Sequence, residues 1–188
     1  MRLLMMGPQG AGKGTQAELL SEALSLTHIS TGDIFRANVG HKTELGVRAQ
    51  AYMSRGDLVP DELTKAMVTD RLGQSDVTTG WLLDGFPRNL AQAEWLESSL
   101  QEAGTPLTAV LLLDVPDDVL LERMLTRGRA DDQGDIIHRR LEIYRTETVP
   151  MIDYFGKMVI HVDGVGNLQD VAHRVLRGIG HSDVHLSR

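Results

Sequence analysis

Gly7-Pro8-Gln9-Gly10-Ala11-Gly12-Lys13-Gly14-Thr15 packs four glycines and one lysine into nine residues, a composition suited to holding phosphate. Glycines let the backbone curl until successive N–H groups point inward, and a helix starting at the loop's end adds partial positive charge. Lys13 supplies a full charge that follows a phosphate as it moves. The pattern matches G-x-x-x-x-G-K and then departs, because Gly14 stands where Ser or Thr is expected and Thr15 follows. That departure puts in doubt direct ligation of a metal by a hydroxyl straight after the lysine. The plainer alternative is a glycine-rich turn without a ligand. The apolar run Leu3-Leu4-Met5-Met6 before the loop and the helix-like stretch from Lys13 to about Leu24 after it argue for the phosphate reading.

Arginines are the next residues to weigh, since a guanidinium fork meets two phosphate oxygens at once. Among them Arg123 stands one helical turn before Arg127 on the same face. Viewed singly, each has an alternative as a surface salt bridge, with Glu122, Asp131 or Glu142 at hand. No Ser-His-Asp or paired-carboxylate arrangement stands out. The seven histidines are scattered without metal-ligand spacing.

These residues need elements to position them. His28-Ile29-Ser30 reads as a short strand, and Thr31-Gly32-Asp33 starts a helix from Ile34 to about Val39 with Asp33 as its N-cap. Glu44 to Ser54 repeats Leu45, Ala49 and Met53 at helical spacing and closes at Gly56. Leu58-Val59-Pro60 is extended, and Asp61 caps a helix to about Leu72. Together these predict a small helical insertion on a larger α/β body. Gly80-Trp81-Leu82-Leu83-Asp84 and Ala109 to Asp114 read as buried parallel strands. Helices follow over Leu90 to Glu102, Asp117 to Arg127 and Ile136 to Phe155, the last kinked or split at Pro150. Residues 128–135 are a polar loop, Met158 to Asp163 a final strand, and Leu168 to about Ile179 the closing helix. The tail, 180–188, lacks apolar periodicity and is expected to be loose. Met5, Met6 and Trp81 are expected in the core. The alternation predicts an α/β fold, a five-stranded parallel sheet with helices on both faces. Ligands in such sheets collect beyond the strands' C-terminal ends, where Met6-Gly7, Asp84-Gly85 and Asp114 all fall.

The 188 residues suffice for one well-buried core, and 41% hydrophobic with 24% charged residues fits a soluble globular chain. A net charge of -7 argues against nucleic acid or an anionic membrane as partner, while leaving room for a locally basic pocket. The absence of cysteine excludes disulfides and a cysteine–zinc knot. No apolar run approaches the ~20 residues of a membrane span. A first strand starting at about Arg2 leaves no room for a signal peptide, so a cytoplasmic location is expected.

Several ordered motifs together resemble the adenylate kinases, in their short-lid form: GPQGAGKGTQ, STGDIFR at 30–36, GDLVPDEL at 56–63, LLDGFPR at 82–88 with Gln92, RGRADD at 127–132 and HRRLEIY at 138–144. The resemblance covers nearly the whole chain. It implies a P-loop NTPase fold with a core of 1–29, 60–127 and 136–188, an NMP-binding lobe of 30–59 and a short lid of 128–135. It implies transfer of the terminal phosphoryl group of ATP to AMP, giving two ADP, with Mg²⁺ accompanying ATP. A lid this short excludes the zinc-bearing form. Chemically, such a transfer needs positioning and charge neutralisation more than a general base, since the acceptor phosphate is already anionic.

The resemblance also implies roles. ATP would be held by Gly10, Ala11, Gly12, Lys13, Gly14 and Thr15, by Arg127, by Arg123 stacked on the adenine, and by the backbone of Gly166. The AMP phosphate would lie on Arg36 and Arg88, and its base against Thr31 and Gln92. The backbone of Asp57, Leu58, Val59, Gly85, Phe86 and Pro87 would wall its site. Arg129 and Arg140 would span both substrates, making Lys13, Arg88, Arg129 and Arg140 the catalytic set. Asp84, and Asp33 with it, would order the water around Mg²⁺, each with helix or turn capping as its alternative. Gln9 replaces a proline frequent at its position, a change of loop stiffness more than of charge. ATP, AMP and ADP are the implied partners of a monomer. A UMP or CMP kinase and a non-catalytic nucleotide sensor remain alternatives, the sensor having no need of arginines that touch both substrates.

Overall fold

Five short runs, β1 (Arg2–Met6), β2 (Thr27–Ser30), β3 (Trp81–Asp84), β4 (Ala109–Asp114) and β5 (Val159–Asp163), form one parallel sheet in a computed structural model describing residues 1–128, 134–184 and 186. The strand order is β2-β3-β1-β4-β5. At its centre Leu4 pairs with Leu83 on one side and Val110 on the other. The three central strands are almost wholly buried, so alternate residues feed two separate cores. Leu3, Met5, Leu82 and Leu111 face one side, where α1 (Lys13–Leu24), α6 (Asp117–Arg127), α7 (Gly134–Ile143) and α9 (Leu168–Gly178) add Leu20, Leu120, Ile137 and Val175. Leu4, Met6, Leu83 and Leu112 face the other. There α4 (Asp61–Leu72), α5 (Leu90–Glu102) and α8 (Val149–Phe155) contribute Val68, Leu96 and Met151. Truncating one of these fully buried leucines to alanine is expected to cost about 2–5 kcal/mol. Met5, Met6 and Trp81 lie in these cores as expected.

Between β2 and α4 stand α2 (Thr31–Gly40) and α3 (Glu44–Met53), packed on each other. The N-cap of α2 is Ser30, whose hydroxyl accepts the Asp33 N–H at 3.2 Å. Asp33 is thus inside the first turn and does not cap it, because the helix begins as soon as β2 ends. Asp61 does not cap α4 either. Pro60 holds the cap position, and the Asp61 carboxylate reaches across to α5.

The helical stretch from Ile136 to Phe155, expected to kink or split at Pro150, is interrupted before that residue. A five-residue π-helical turn, Tyr144–Thr148, joins α7 to α8, and Pro150 falls in the first turn of α8, where its missing N–H does least harm. The described part of the tail, 180–184 and 186, departs from expectation too, while 185, 187 and 188 lie outside the described residues. His181 N–H bonds the Leu176 carbonyl at 2.8 Å, and Val184 and Leu186 pack against the core. Among the described residues, no helix is long and apolar enough to cross a membrane.

Candidate active site

The glycine-rich loop spans the gap between β1 and α1, with Gly12 at the N-cap position in left-handed conformation. Gly10 has φ +87°, and a Cβ there would lie 2.9 Å from the Leu120 carbonyl oxygen, so α6 packs directly on the loop. Lys13 folds back and donates from Nζ to the Pro8 carbonyl at 2.8 Å. Around the loop opens a cleft of about 660 Å³, lined by residues 9–16 together with Ser30, Asp33, Arg36, Asp84, Arg88, Arg123, Arg127 and Gly166. An acidic chain thus gathers Lys13 and four arginines around one cavity.

A smaller cavity of about 70 Å³ adjoins it, lined by Thr31, Phe35, Arg36, Asp57, Leu58, Val59, Gln92 and Arg140 among others. Gln9, Gly32, Arg36, Gly85 and Arg88 line both. Arg88 is therefore at the junction. It is braced from below, its Nε donating to the Gly85 carbonyl at 2.8 Å and its own carbonyl accepting the Thr148 hydroxyl at 2.8 Å. Burial lowers the Arg88 pKa; nearby Asp84 opposes this, and Arg140 and Arg36 add to the lowering. Such surroundings are short of negative charge, which an entering phosphate supplies. Arg36 also forms an ion pair with Asp33.

Gly85, with φ +83°, permits a close turn: a Cβ there would sit 2.6 Å from the Thr31 hydroxyl oxygen. That hydroxyl donates to the Asp84 carbonyl at 3.3 Å. Phe86 turns its ring away into the core, 5.9 Å from Trp95 edge to face, and is not among the residues that line these cavities. Pro87 lines a third, small pocket with Gly7, Leu58 and Arg140.

Arg123 is held by two carbonyls, Ala11 at 3.3 Å and Gly164 at 3.0 Å, where a salt bridge to Glu122 was the alternative. Beside Arg140, it is Arg139 that pairs with Glu142, at 2.9 Å. Arg129 lies outside the described residues, as does most of the 128–135 loop. Asp114 ends β4 at the same sheet edge, as expected, but meets His161 Nδ1 at 2.9 Å and lines a separate groove.

Asp84 is 8% exposed, and its Oδ1 is buried without a hydrogen-bond partner. Its other oxygen faces Gly14, where an added Cβ would come within 3.5 Å. A buried, acceptor-only oxygen beside a phosphate loop fits the water shell of a hard divalent cation. Among the described residues no group of three or more His, Asp or Glu is set to chelate a metal directly.

Two residues exceed what was read for them. With its amide oxygen turned toward the arginines, Gln9 accepts from Arg127 at 2.9 Å and from Arg140 at 3.2 Å, so it ties the end of α6 to α7 through the loop. An amide in place of proline was the available signal, because only the amide offers an acceptor. Asp61 accepts from Asn89 at 3.1 Å and from Gln92 at 2.7 Å. Its position before a helix suggested a cap, and nothing local pointed across 31 residues to Gln92.

A sequence model of the family described as adenylate kinase matches residues 5–160. The chain is 50% identical over 180 residues to the adenylate kinase of Corynebacterium glutamicum (strain R), covering 96% of this chain and 99% of that one. Identity is 51% over 180 residues with the adenylate kinase of Nocardia farcinica, at the same coverage. It is 47% over 181 residues with adenylate kinase 1 of a Nostoc species, covering 95% and 98%.

Proposed function

This chain belongs to the adenylate kinase family, and on that premise we propose that its larger cavity seats ATP and its smaller one AMP. The protein is a phosphotransferase that moves the terminal phosphoryl group of ATP reversibly to AMP, giving two ADP. One observation carries the assignment of seats. The two cavities meet at Arg36, Gly85 and Arg88, so phosphates entering from either side converge on the same guanidinium groups.

The backbone N–H groups from Gly10 to Thr15 and the Lys13 ammonium hold the ATP phosphates, with Arg127 beside them. Arg123, braced by carbonyls of the loop and of Gly164, stacks on the adenine, and the Gly166 backbone meets its edge. Arg36 and Arg88 grip the AMP phosphate, while Thr31 and Gln92 meet its base within walls formed by 57–59 and Gly85. Arg140 and Arg129 bridge the two substrates. The acceptor is a phosphate with a second pKa of about 6, so it attacks as an anion and no strong base is required. Mg²⁺ bound with ATP would neutralise phosphate charge, its water shell held by Asp84, with Asp33 nearby. Arginines placed along the line stabilise the negative charge that builds on the leaving phosphate as the accepting phosphate oxygen forms its bond.

In this reading the core (1–29, 60–127 and 136–188) stays fixed while the NMP-binding lobe (30–59) and the lid (128–135) close. Closure keeps water from the terminal phosphate, which would otherwise be lost to hydrolysis. The enzyme would act as a cytoplasmic monomer in adenine-nucleotide homeostasis. The test is an acceptor panel: with Mg-ATP, AMP should be used far better than UMP or CMP. Preference for a pyrimidine monophosphate, or tight nucleotide binding without ADP formation, would overturn the reading.

A further inference from the structure

Gln92 is 2% exposed, and protein groups engage both ends of its amide. Its Oε1 accepts the backbone N–H of Arg88 at 2.8 Å, and its Nε2 donates to Asp61 Oδ1 at 2.7 Å. Asp61 is steadied in turn by Asn89, which donates to the same oxygen at 3.1 Å. Asn89 also caps α5 by accepting the Gln92 N–H at 2.9 Å. A backbone N–H can only donate, and an ionised carboxylate can only accept. Turning the amide over would set NH₂ against N–H and carbonyl against carboxylate. The amide therefore has a single polarity.

Each end keeps one unused valence: a second lone pair on Oε1 and a second hydrogen on Nε2. Gln92 lines the smaller cavity, and Asp61 is not among the residues lining it. A base edge meeting this amide must offer a donor to Oε1 and an acceptor to Nε2. A 6-aminopurine does so with its exocyclic NH₂ and N1. A 6-oxopurine offers the reverse, a carbonyl oxygen and N1–H. A glutamine free to turn over would serve both bases equally. We propose that Asp61 is a specificity-positioning residue, acting with the Arg88 N–H to hold Gln92 in the polarity that admits 6-aminopurine monophosphates and refuses 6-oxopurine ones. The inference rests on the seat assigned to AMP above. Cytosine offers the same donor–acceptor order as adenine, so the lock sorts purines by their 6-substituent and not purines from pyrimidines.

The experiment measures kcat/KM for AMP and for IMP, at saturating Mg-ATP, in the wild type, Asp61→Asn, Asp61→Ser and Gln92→Ala. Asn and Ser can each donate or accept, so either removes Asp61's half of the lock and leaves the Arg88 N–H alone to oppose a turned amide. The AMP-to-IMP ratio is expected to fall about tenfold or more in both Asp61 variants, with the change lying mainly in the acceptor KM. If one variant fails to fold, the other gives the ratio. An unchanged ratio, or an equal loss of both acceptors, overturns the proposal, since a merely structural role would weaken AMP and IMP alike. A Gln92→Ala enzyme whose KM for AMP stays at the wild-type value would instead overturn the seat on which the proposal rests.

Discussion

Arg139 Nε lies 3.2 Å from Asp57 Oδ1, joining α7 to the turn after α3 across 82 residues of sequence. Arg55 reaches the other carboxylate oxygen at 3.0 Å. Gly56, between them in sequence, is equally close to α7, since a Cβ on it would come 3.1 Å from Ile136. The segment assigned to AMP thus touches the helix that follows the lid.

That ion pair sets a pH expectation. The Arg55 hydrogen bond, then that of Arg139, holds the Asp57 carboxyl below its ordinary 3.8, against a smaller opposing effect of desolvation. A depressed carboxyl contributes stability above its unfolded pKa and loses it as pH falls through the lower, folded value. The contact should therefore keep its charge from pH 5 to 8. Urea unfolding at pH 7 and pH 3 should show a smaller loss of stability in Asp57→Asn than in the wild type, while the shape of the rate profile from pH 5 to 8 stays the same.

Gly85→Ala places a methyl against the Thr31 hydroxyl at a φ that L side chains rarely adopt. The strain should be about 1–3 kcal/mol, visible as a lower Tm. Thr31 and Arg88 both adjoin this turn, so the KM for AMP should rise by a larger factor than that for ATP.

Arg123→Lys keeps the charge and loses the planar group braced by two carbonyls. Initial-rate kinetics should show the KM for ATP raised by about tenfold, a larger factor than the fall in kcat.

Lys13→Ala and Arg88→Ala each remove a cation that the proposed mechanism sets on the transferred phosphoryl group. Each should lower kcat/KM by at least about 100-fold, or about 3 kcal/mol of transition-state stabilisation. Arg88→Ala with unchanged kinetics would remove the junction residue from the mechanism.

The parts of this site that were legible in the sequence are those whose determinants are local. Strand, glycine turn and helix follow one another within Leu3 to Leu24, and the buried runs ending at Asp84 and Asp114 stand out by composition alone. Misreadings occurred where tertiary packing chose between equivalent local options. Ser30 and Asp33 are both competent caps, and the end of β2 selects Ser30. Asp61 has the look of a cap until α5 is packed beside it. Val184 and Leu186 have no period to declare them, yet the core leaves room for both. Gln9 gains its two arginine partners only when α6 and α7 are brought to the loop.

The central claim is that two adjoining seats deliver phosphates to Lys13, Arg36 and Arg88. A crystal structure with a bisubstrate analogue, two adenosines joined through a polyphosphate, tests it most directly. One adenine should lie against Arg123 and Gly166, the other against Thr31 and Gln92, with the phosphate chain running past Lys13 to Arg36 and Arg88. A second adenosine bound away from Thr31, Arg36, Arg88 and Gln92 would contradict the account.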